Sequence, residues 1–444
     1  MEPLRSEETA LNSSGLISRT RKISAELPKC AVLSVAESPR TVWAAPGEAT
    51  VIGSGTAATL SATGPDRFSV IRSEAEELFA VGDVHAGTLV ARPRLFGGFS
   101  FHEDHNETDP WGGFPSARFV LPRTQVTYDG DETWVTVNAV DATAESVEQH
   151  LEAVVETLRN AEAGPRRDPP GVKRRHRTMS KEGWHRSVTA ATDRITAGEL
   201  RKVVLAQAME AHLEAPLSVP DVLSRLGDSY PDCTRFLFEP ADGSAAFFGA
   251  TPEGLVDLRG RTVETGALAG TTGRGDTPTE DDWLAEELLD DEKNVHEHEL
   301  VAEAIREQLT PYAASMRSGT RRVRRLANVQ HLETPITAEL AEDEHVLTLV
   351  EALHPTPAVG GLPPDRALET IRDTEPFERG WYAAPIGWFD AAGHGSFAVA
   401  LRSAVARGDV VTLFAGVGIV TDSDPDREWD EVQLKYRPIL DELE

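Results

Sequence analysis

The chain has 444 residues, enough for one large domain or two to three ordinary ones, and its hydrophobic share of 40% is usual for a globular protein. Its formal charge is -29 at pH 7, from 73 acidic and 44 basic residues, which argues against nucleic acid or an anionic membrane as partner, since both require basic surface. No apolar run approaches bilayer-spanning length, and Met1 to about Ala25 lacks the apolar core of a signal peptide, so a cytoplasmic location is expected. Cys30 and Cys233 are the only cysteines, which argues against a disulfide framework or a cysteine zinc site. Lysine is confined to Lys22, Lys29, Lys173, Lys181, Lys202, Lys293 and Lys435, whereas arginine is plentiful. An acidic, lysine-poor surface is expected of a protein from a high-salt cytoplasm, where screening suppresses self-repulsion.

In chain order, residues 1 to about 30 read as a flexible tail. Short β-type runs separated by Gly, Pro and Asp follow, such as Ala49–Gly53, Arg118–Leu121 and Thr133–Asn138, giving a β-rich lobe over about 31–163. That lobe contains Gly97–Phe101 and ends in a helix, with Val147, Leu151, Val154, Val155 and Leu158 at helical spacing. Gly164–Arg177 is rich in proline and basic residues and reads as an exposed linker over about 164–179.

From residue 180 the signals become regular. Ser180 is placed to cap a helix carrying Trp184, Val188, Ala191 and Ile195 on one face, closed by Gly198. Leu200–Gln207 reads as a strand in which Lys202 shares a face with Val204, Ala206 and Ala208. A lysine so placed either snorkels outward or sits in a pocket that lowers its pKa and fits it to act as a base. Further on, the apolar run Ala245–Ala250 meets Pro252 and delivers Glu253, before Gly254–Leu258 and Arg261–Thr265 form a hairpin about Arg259–Gly260. Glu253 is either a polar turn residue or a carboxyl whose burial disfavours the charged form.

Glu280 to about Leu309 reads as one long acidic helix. Within it Glu297 faces the stripe of Leu300, Val301 and Ala304, where an unpaired charge is costly. A hard cation bound by oxygen ligands would relieve that cost, although a plain acidic helix face also fits the pattern. Leu353–Gly361 reads as a loop, and Arg379–Trp388, Ser396–Arg402 and Val410–Val420 as successive strands. Gly416 and Gly418 either leave backbone N–H groups open to an anion or allow close strand packing. The last helix spaces Glu428, Glu431 and Lys435 at i, i+3 and i+7.

Taken together, Lys202–Ala206, Phe248–Glu253, Ala267–Thr271, Glu297–His298, His354–Gly361, Arg379–Tyr382 and Gly416–Val420 with Glu428–Glu431 and Lys435 resemble the chorismate-utilising enzymes. These include isochorismate and salicylate synthases and the large subunits of anthranilate and aminodeoxychorismate synthases. The pieces occur in family order over about residues 180–440, and Gly97–Phe101 extends the match into the β-rich lobe. The tail falls outside it.

The resemblance implies an α+β fold: one domain over 31–444 with two stacked antiparallel β-sheets flanked by helices, and a site in a cleft between the two halves of the chain. It further implies Mg²⁺ held by Glu297 and Glu431, with Glu428 contributing through water, binding the ring carboxylate of chorismate. Arg402, Tyr382, the Gly416 and Gly418 amides and Lys435 would hold the enolpyruvyl carboxylate. Leu268, Ala269, Gly270, Thr271 and His354 would complete the substrate site. Lys202 would deprotonate water as it attacks C2, and Glu253 would protonate the departing 4-hydroxyl.

Two positions choose the branch. Anthranilate synthases usually carry Gln where Lys202 stands, and aminodeoxychorismate synthases usually carry a nucleophilic Lys where Ala269 stands. Water is therefore the expected nucleophile, and no glutamine amidotransferase partner is required. Arg379–Trp388 looks most like menaquinone-pathway isochorismate synthases, and salicylate synthase stays open as an alternative.

Overall fold

The computed structural model describes residues 15–24 and 27–444. Two large sheets carry the fold. The first has 13 strands and the second 10, and every pairing is antiparallel except that of Leu16–Ile23 with Gly82–His85. Ten α-helices accompany them among the described residues. One continuous hydrophobic core takes side chains from both sheets, Val42, Phe236 and Phe247 from the first and Phe119, Phe389 and Phe397 from the second.

Both halves of the chain build both sheets. Arg40–Ala44 lies beside Thr234–Phe238 in the first, and Arg94–Phe99 lies beside Pro385–Asp390 in the second. The early β runs and the later motif-bearing strands are therefore neighbours in the same sheets.

Local chemistry explains most element ends. Thr143 caps Ala144–Arg159, whose Val147, Leu151, Val155 and Leu158 are buried. The Ser180 side chain accepts the Gly183 N–H and starts Lys181–Thr196, which buries Trp184, Val188, Ala191 and Ile195. Gly254–Arg259 and Thr262–Gly273 form a hairpin in which Arg259 faces Thr262. The two-residue turn between them places Gly260 at φ +59°, a conformation that favours glycine.

Three expectations are corrected. The tail expected over residues 1–30 lies partly outside the described residues. In the described part, Leu16–Ile23 is a strand paired residue for residue with Thr133–Val140. Its run of Arg, Thr and Lys reads as loose, yet Leu16, Ser18 and Ile23 are buried against elements far along the chain. The linker expected to 179 contains an edge strand, Val172–Arg177, paired with Met209–Leu213. Its basic side chains are exposed, a composition that discourages further strand pairing at a sheet edge. The long acidic helix is two helices, Pro278–Asp290 and Glu292–Leu309. They part at Asp291, whose carboxylate accepts the Asn294 N–H at 2.7 Å, so the side chain caps the second helix where an unbroken helix would have continued.

Candidate active site

A cavity of about 380 Å³ opens between the C-terminal strand Val410–Ile419, the hairpin strand Thr262–Gly273 and the helices Glu292–Leu309 and Pro425–Leu440. Glu253, Leu268, Ala269, Gly270, Thr271, Glu297, Tyr382, Arg402, Gly416, Gly418, Glu428, Glu431 and Lys435 all line it. A second cavity of about 640 Å³ shares Pro252, Glu253 and Leu268 with the first. The smaller one is the candidate active site, because of the two it alone gathers Glu297, Glu428 and Glu431 with two lysines, Lys293 and Lys435, and the glycine edge.

Glu253 follows Thr251 and Pro252 out of the buried strand Ala246–Thr251. Its backbone is pinned by a 3.2 Å bond from its N–H to the Thr251 hydroxyl and a 3.0 Å bond from the Val399 N–H to its carbonyl. The side chain is buried. Burial pushes its pKa up to about 7, against the opposing pull of Lys202, Lys435, Arg402 and Arg324. A carboxyl in that range holds a proton near neutrality and can give it up.

Lys202 does not snorkel outward. It is 1% exposed, and its Nζ lies 2.9 Å from Glu297 Oε1. It stops just behind the cavity wall, beneath Glu297 and Gly418. A Cβ on Gly418 would fall 2.5 Å from Glu297 Oε1 and 2.9 Å from Lys202 Cε, so this glycine makes room for the pair. Burial acts to raise the Glu297 pKa, but the Lys202 ammonium and its hydrogen bond, with Lys435 and Lys293, hold it below its ordinary value.

Each of the three helix acids has its own lysine. Lys202 holds Glu297, Lys293 holds Glu428 at 3.2 Å, and Lys435 holds Glu431 at 2.7 Å. Glu428 is 3% exposed, and its pKa is raised by burial and then by the neighbouring Glu431, with Lys293 opposing. Three of the seven lysines in the chain are thus spent on one cavity. Among the described residues no set of three or more His, Cys, Asp or Glu is already gathered around a metal position. The donor chemistry nevertheless suits a hard cation, because Glu297, Glu428 and Glu431 all reach the cavity and Glu431 raises Glu428.

The strand edge beside these acids suits anions. Gly416 and Gly418 face Ala206 and Val204 across the ladder. Val204 directs its own N–H and carbonyl away from that ladder, to Gly360 and Arg379. By antiparallel alternation the Gly416 and Gly418 N–H groups therefore point the other way, toward the edge where Lys435 Nζ meets the Gly416 carbonyl at 2.9 Å. Arg402 stands in a left-handed backbone conformation, φ +48°, and among the described residues no carboxylate pairs with its guanidinium. Burial lowers the Arg402 pKa. Tyr382 stacks on Phe414 at 5.2 Å, and burial raises its phenol pKa.

A β-bulge shapes the stretch beside Glu253. The register against Val329–Leu340 shifts between Ala269 and Thr271, with Gly270 between them at φ +76°. The Thr271 N–H then reaches Asn294 Oδ1 at 3.1 Å, and its hydroxyl meets His331 Nδ1 at 3.0 Å. His331, Asn294, Lys293 and Arg427 also line the cavity, and sequence reasoning missed all four. His331 arrives through the Thr271–His331 register, which no local spacing reveals.

His354 is the expected substrate residue that the structure places elsewhere. It does not line the cavity. Its Nε2 lies 3.2 Å from the Phe101 carbonyl, its ring packs edge-on against Phe101, and burial lowers its pKa to about 3. It joins the 354–361 loop to the β-rich part of the chain.

The family model described as chorismate binding enzyme matches residues 4–444, which takes in the N-terminal segment that the motif resemblance left out. The chain is 36% identical to the isochorismate synthase MenF of Bacillus subtilis over 79% of its own length and 74% of that protein. It is 37% identical to the salicylate biosynthesis isochorismate synthase of Pseudomonas aeruginosa, over 92% and 85% respectively. The solved menaquinone-specific isochorismate synthase of Escherichia coli superposes with a TM-score of 0.82 at 27% identity, covering 97% of this chain and 95% of that one. Anthranilate synthase component I of Streptococcus pneumoniae shares the fold at a TM-score of 0.75 and 21% identity, over 89% and 93%. The chain belongs to the family of chorismate-binding enzymes.

Proposed function

We propose that this protein is an isochorismate synthase that converts chorismate to isochorismate by addition of water at C2 and loss of the 4-hydroxyl. The observation that carries the reading is a carboxyl of pKa about 7, Glu253, on the same cavity whose wall hides Lys202 behind Glu297. Lys at 202 together with Ala at 269 favours water over an amine as nucleophile. The relatives from Bacillus subtilis, Pseudomonas aeruginosa and Escherichia coli named above, each an isochorismate synthase, support this reading.

In this scheme Arg402 and Tyr382, with the Gly416 and Gly418 amides and Lys435, grip the enolpyruvyl carboxylate. A guanidinium fork that no carboxylate among the described residues pairs with suits a planar carboxylate. Lys202 accepts a proton from water as the oxygen bonds to C2 and the ring double bonds shift. Glu253 gives its proton to the 4-oxygen, which leaves as water. Each turnover leaves a proton on Lys202 and takes one from Glu253, and both are restored from solvent. Lys202 reaches the attacking water only when Glu297 is drawn off it, because the 2.9 Å pair otherwise occupies its Nζ.

Glu297 and Glu431, with Glu428, would hold a Mg²⁺ ion. When bound, such an ion neutralises the ring carboxylate and fixes the ring in place. Menaquinone synthesis is the first pathway proposed and siderophore or salicylate synthesis the second, and a salt-adapted setting accords with the charge of -29.

Incubation of the purified protein with chorismate and Mg²⁺, with products separated by chromatography, tests this reading. Isochorismate as sole product is expected. Salicylate with equimolar pyruvate would make it a salicylate synthase, and an ammonia-dependent aromatic amine would move it to the amino-transferring branches.

A further inference from the structure

The strand that carries Lys202 is fully paired on one side, where Val203–His212 face Val410–Ile419. Its other edge is interrupted. Lys202 and Val203 meet Leu362 and Gly361, and Met209–Leu213 meet Val172–Arg177, but among the described residues Val204 to Ala208 have no strand beside them on this edge. Their backbone groups are satisfied piecemeal. The Val204 N–H donates to the Gly360 carbonyl at 2.9 Å, and Thr178 closes Ala208 through its own N–H and hydroxyl.

Between these two points the edge is held by one ion pair. Arg379 Nη2 donates to the Val204 carbonyl at 2.8 Å, and Glu375 Oε1 accepts the Ala206 N–H at 2.8 Å. The two side chains are joined to each other by bonds of 2.8 and 2.5 Å, and both are all but fully buried. A third arm, Arg379 Nη1, donates to the Val359 carbonyl at 2.8 Å, and Phe101 lies 4.3 Å under the guanidinium. Such a pair is a poor device for stability alone, because desolvating both charges offsets most of their attraction. What the planar fork does provide is fixed geometry toward several acceptors at once.

Those acceptors belong to the active site. Val204 and Val359 both line the substrate cavity, and Lys202 is two residues from Val204 on the same face of the strand. We propose that the Glu375–Arg379 pair is a positioning device that replaces a missing strand and locks the Lys202 strand and the Val359 loop in one arrangement. The consequence for catalysis rests on the reading of Lys202 as the base. The mechanical claim does not.

The test uses Arg379→Lys, which keeps the charge but loses the fork, Arg379→Ala with added guanidinium ion, and Glu375→Gln. In Arg379→Lys, kcat is expected to fall on the order of 100-fold, as for a small displacement of a reacting group, with KM within about threefold. Millimolar guanidinium should restore Arg379→Ala at least about tenfold, and ammonium should not. Amide exchange should accelerate at Val204–Ala206 and at Val359 together in all three variants. Wild-type kcat with unchanged exchange in Arg379→Lys would overturn the proposal. So would a loss confined to KM, which would make Arg379, itself on the cavity wall, a substrate ligand. If Arg379→Ala does not fold, Arg379→Lys and Glu375→Gln decide. If the wild-type protein makes no isochorismate, the functional reading fails, and the exchange data alone judge the positioning claim.

Discussion

Glu253 shows how one side chain acquires its chemistry from its neighbours. An apolar strand and Pro252 strip it of water, and the cations of the cavity stop short of fully ionising it. Its working form is protonated, so kcat is expected to fall as pH rises through about 7, and Glu253→Gln should lose on the order of 10²–10⁴ in kcat. Because the folded pKa lies above the ordinary 4.5, the stability this group contributes is complete below that value and is lost as pH rises through about 7. Urea unfolding of Glu253→Gln should therefore lack that part of the pH dependence, and a wild-type profile in the variant would refute the assignment.

Gly418 gives a second prediction at this scale. Gly418→Ala should displace both Glu297 and Lys202 from their places at the cavity wall and cost at least about tenfold in turnover, while leaving the fold intact by circular dichroism. Full activity would show that the close packing of the pair has no catalytic consequence. The burial of Glu253 was only half legible in the sequence, because the apolar run before it and Pro252 suit a buried carboxyl and a polar turn residue alike. The lysine partners of Glu297, Glu428 and Glu431 were only partly so. Glu431–Lys435 lies within one helical turn, whereas Lys202 and Lys293 reach their acids across 95 and 135 positions, distances that no periodicity encodes. His354 was misplaced because its motif neighbours fix the loop, and the loop turns this ring toward Phe101.

Among the elements, the caps, the hairpin and the amphipathic helices were readable because each depends on residues a few positions apart. The strands Leu16–Ile23 and Val172–Arg177 were not, since polar edge strands owe their form to partners elsewhere in the chain. The acidic helix was read through Asp291 because no Pro or Gly marks the break. Asp291→Ala should cost about 1 kcal/mol of unfolding free energy and let the two helices drift toward continuity. Gly270→Ala should cost about 1–2 kcal/mol, because the bulge needs φ +76°, and it should also lower turnover by shifting Thr271. Denaturant titration with parallel kinetics separates the two. A loss of stability without a change in rate at Gly270 would mean that the bulge shapes the strand and not the site.

For the molecule as a whole, the two chain halves interleave in both sheets, yet the residues lining the cavity all lie between Val204 and Lys435, so the site is not the cleft between the halves that the resemblance implies. Lys202 comes from the first sheet, Glu253 from the link between Ala246–Thr251 of the first sheet and Gly254–Arg259 of the second, the 268–271 bulge from the second, and the acids from two helices far apart in sequence. The net charge of -29 acts at this scale too. Added salt should raise the thermal midpoint as screening relieves repulsion, and an unchanged or falling midpoint between low and molar NaCl would remove the case for a high-salt setting.

The central claim is that solvent water supplies the new hydroxyl while the old one leaves. Turnover of chorismate in H₂¹⁸O, followed by mass spectrometry of the product, tests it most directly. The account predicts isochorismate carrying one ¹⁸O on C2. Product that retains the original oxygen would mean that the hydroxyl migrates within the substrate, and Lys202 and Glu253 would lose the roles given to them here.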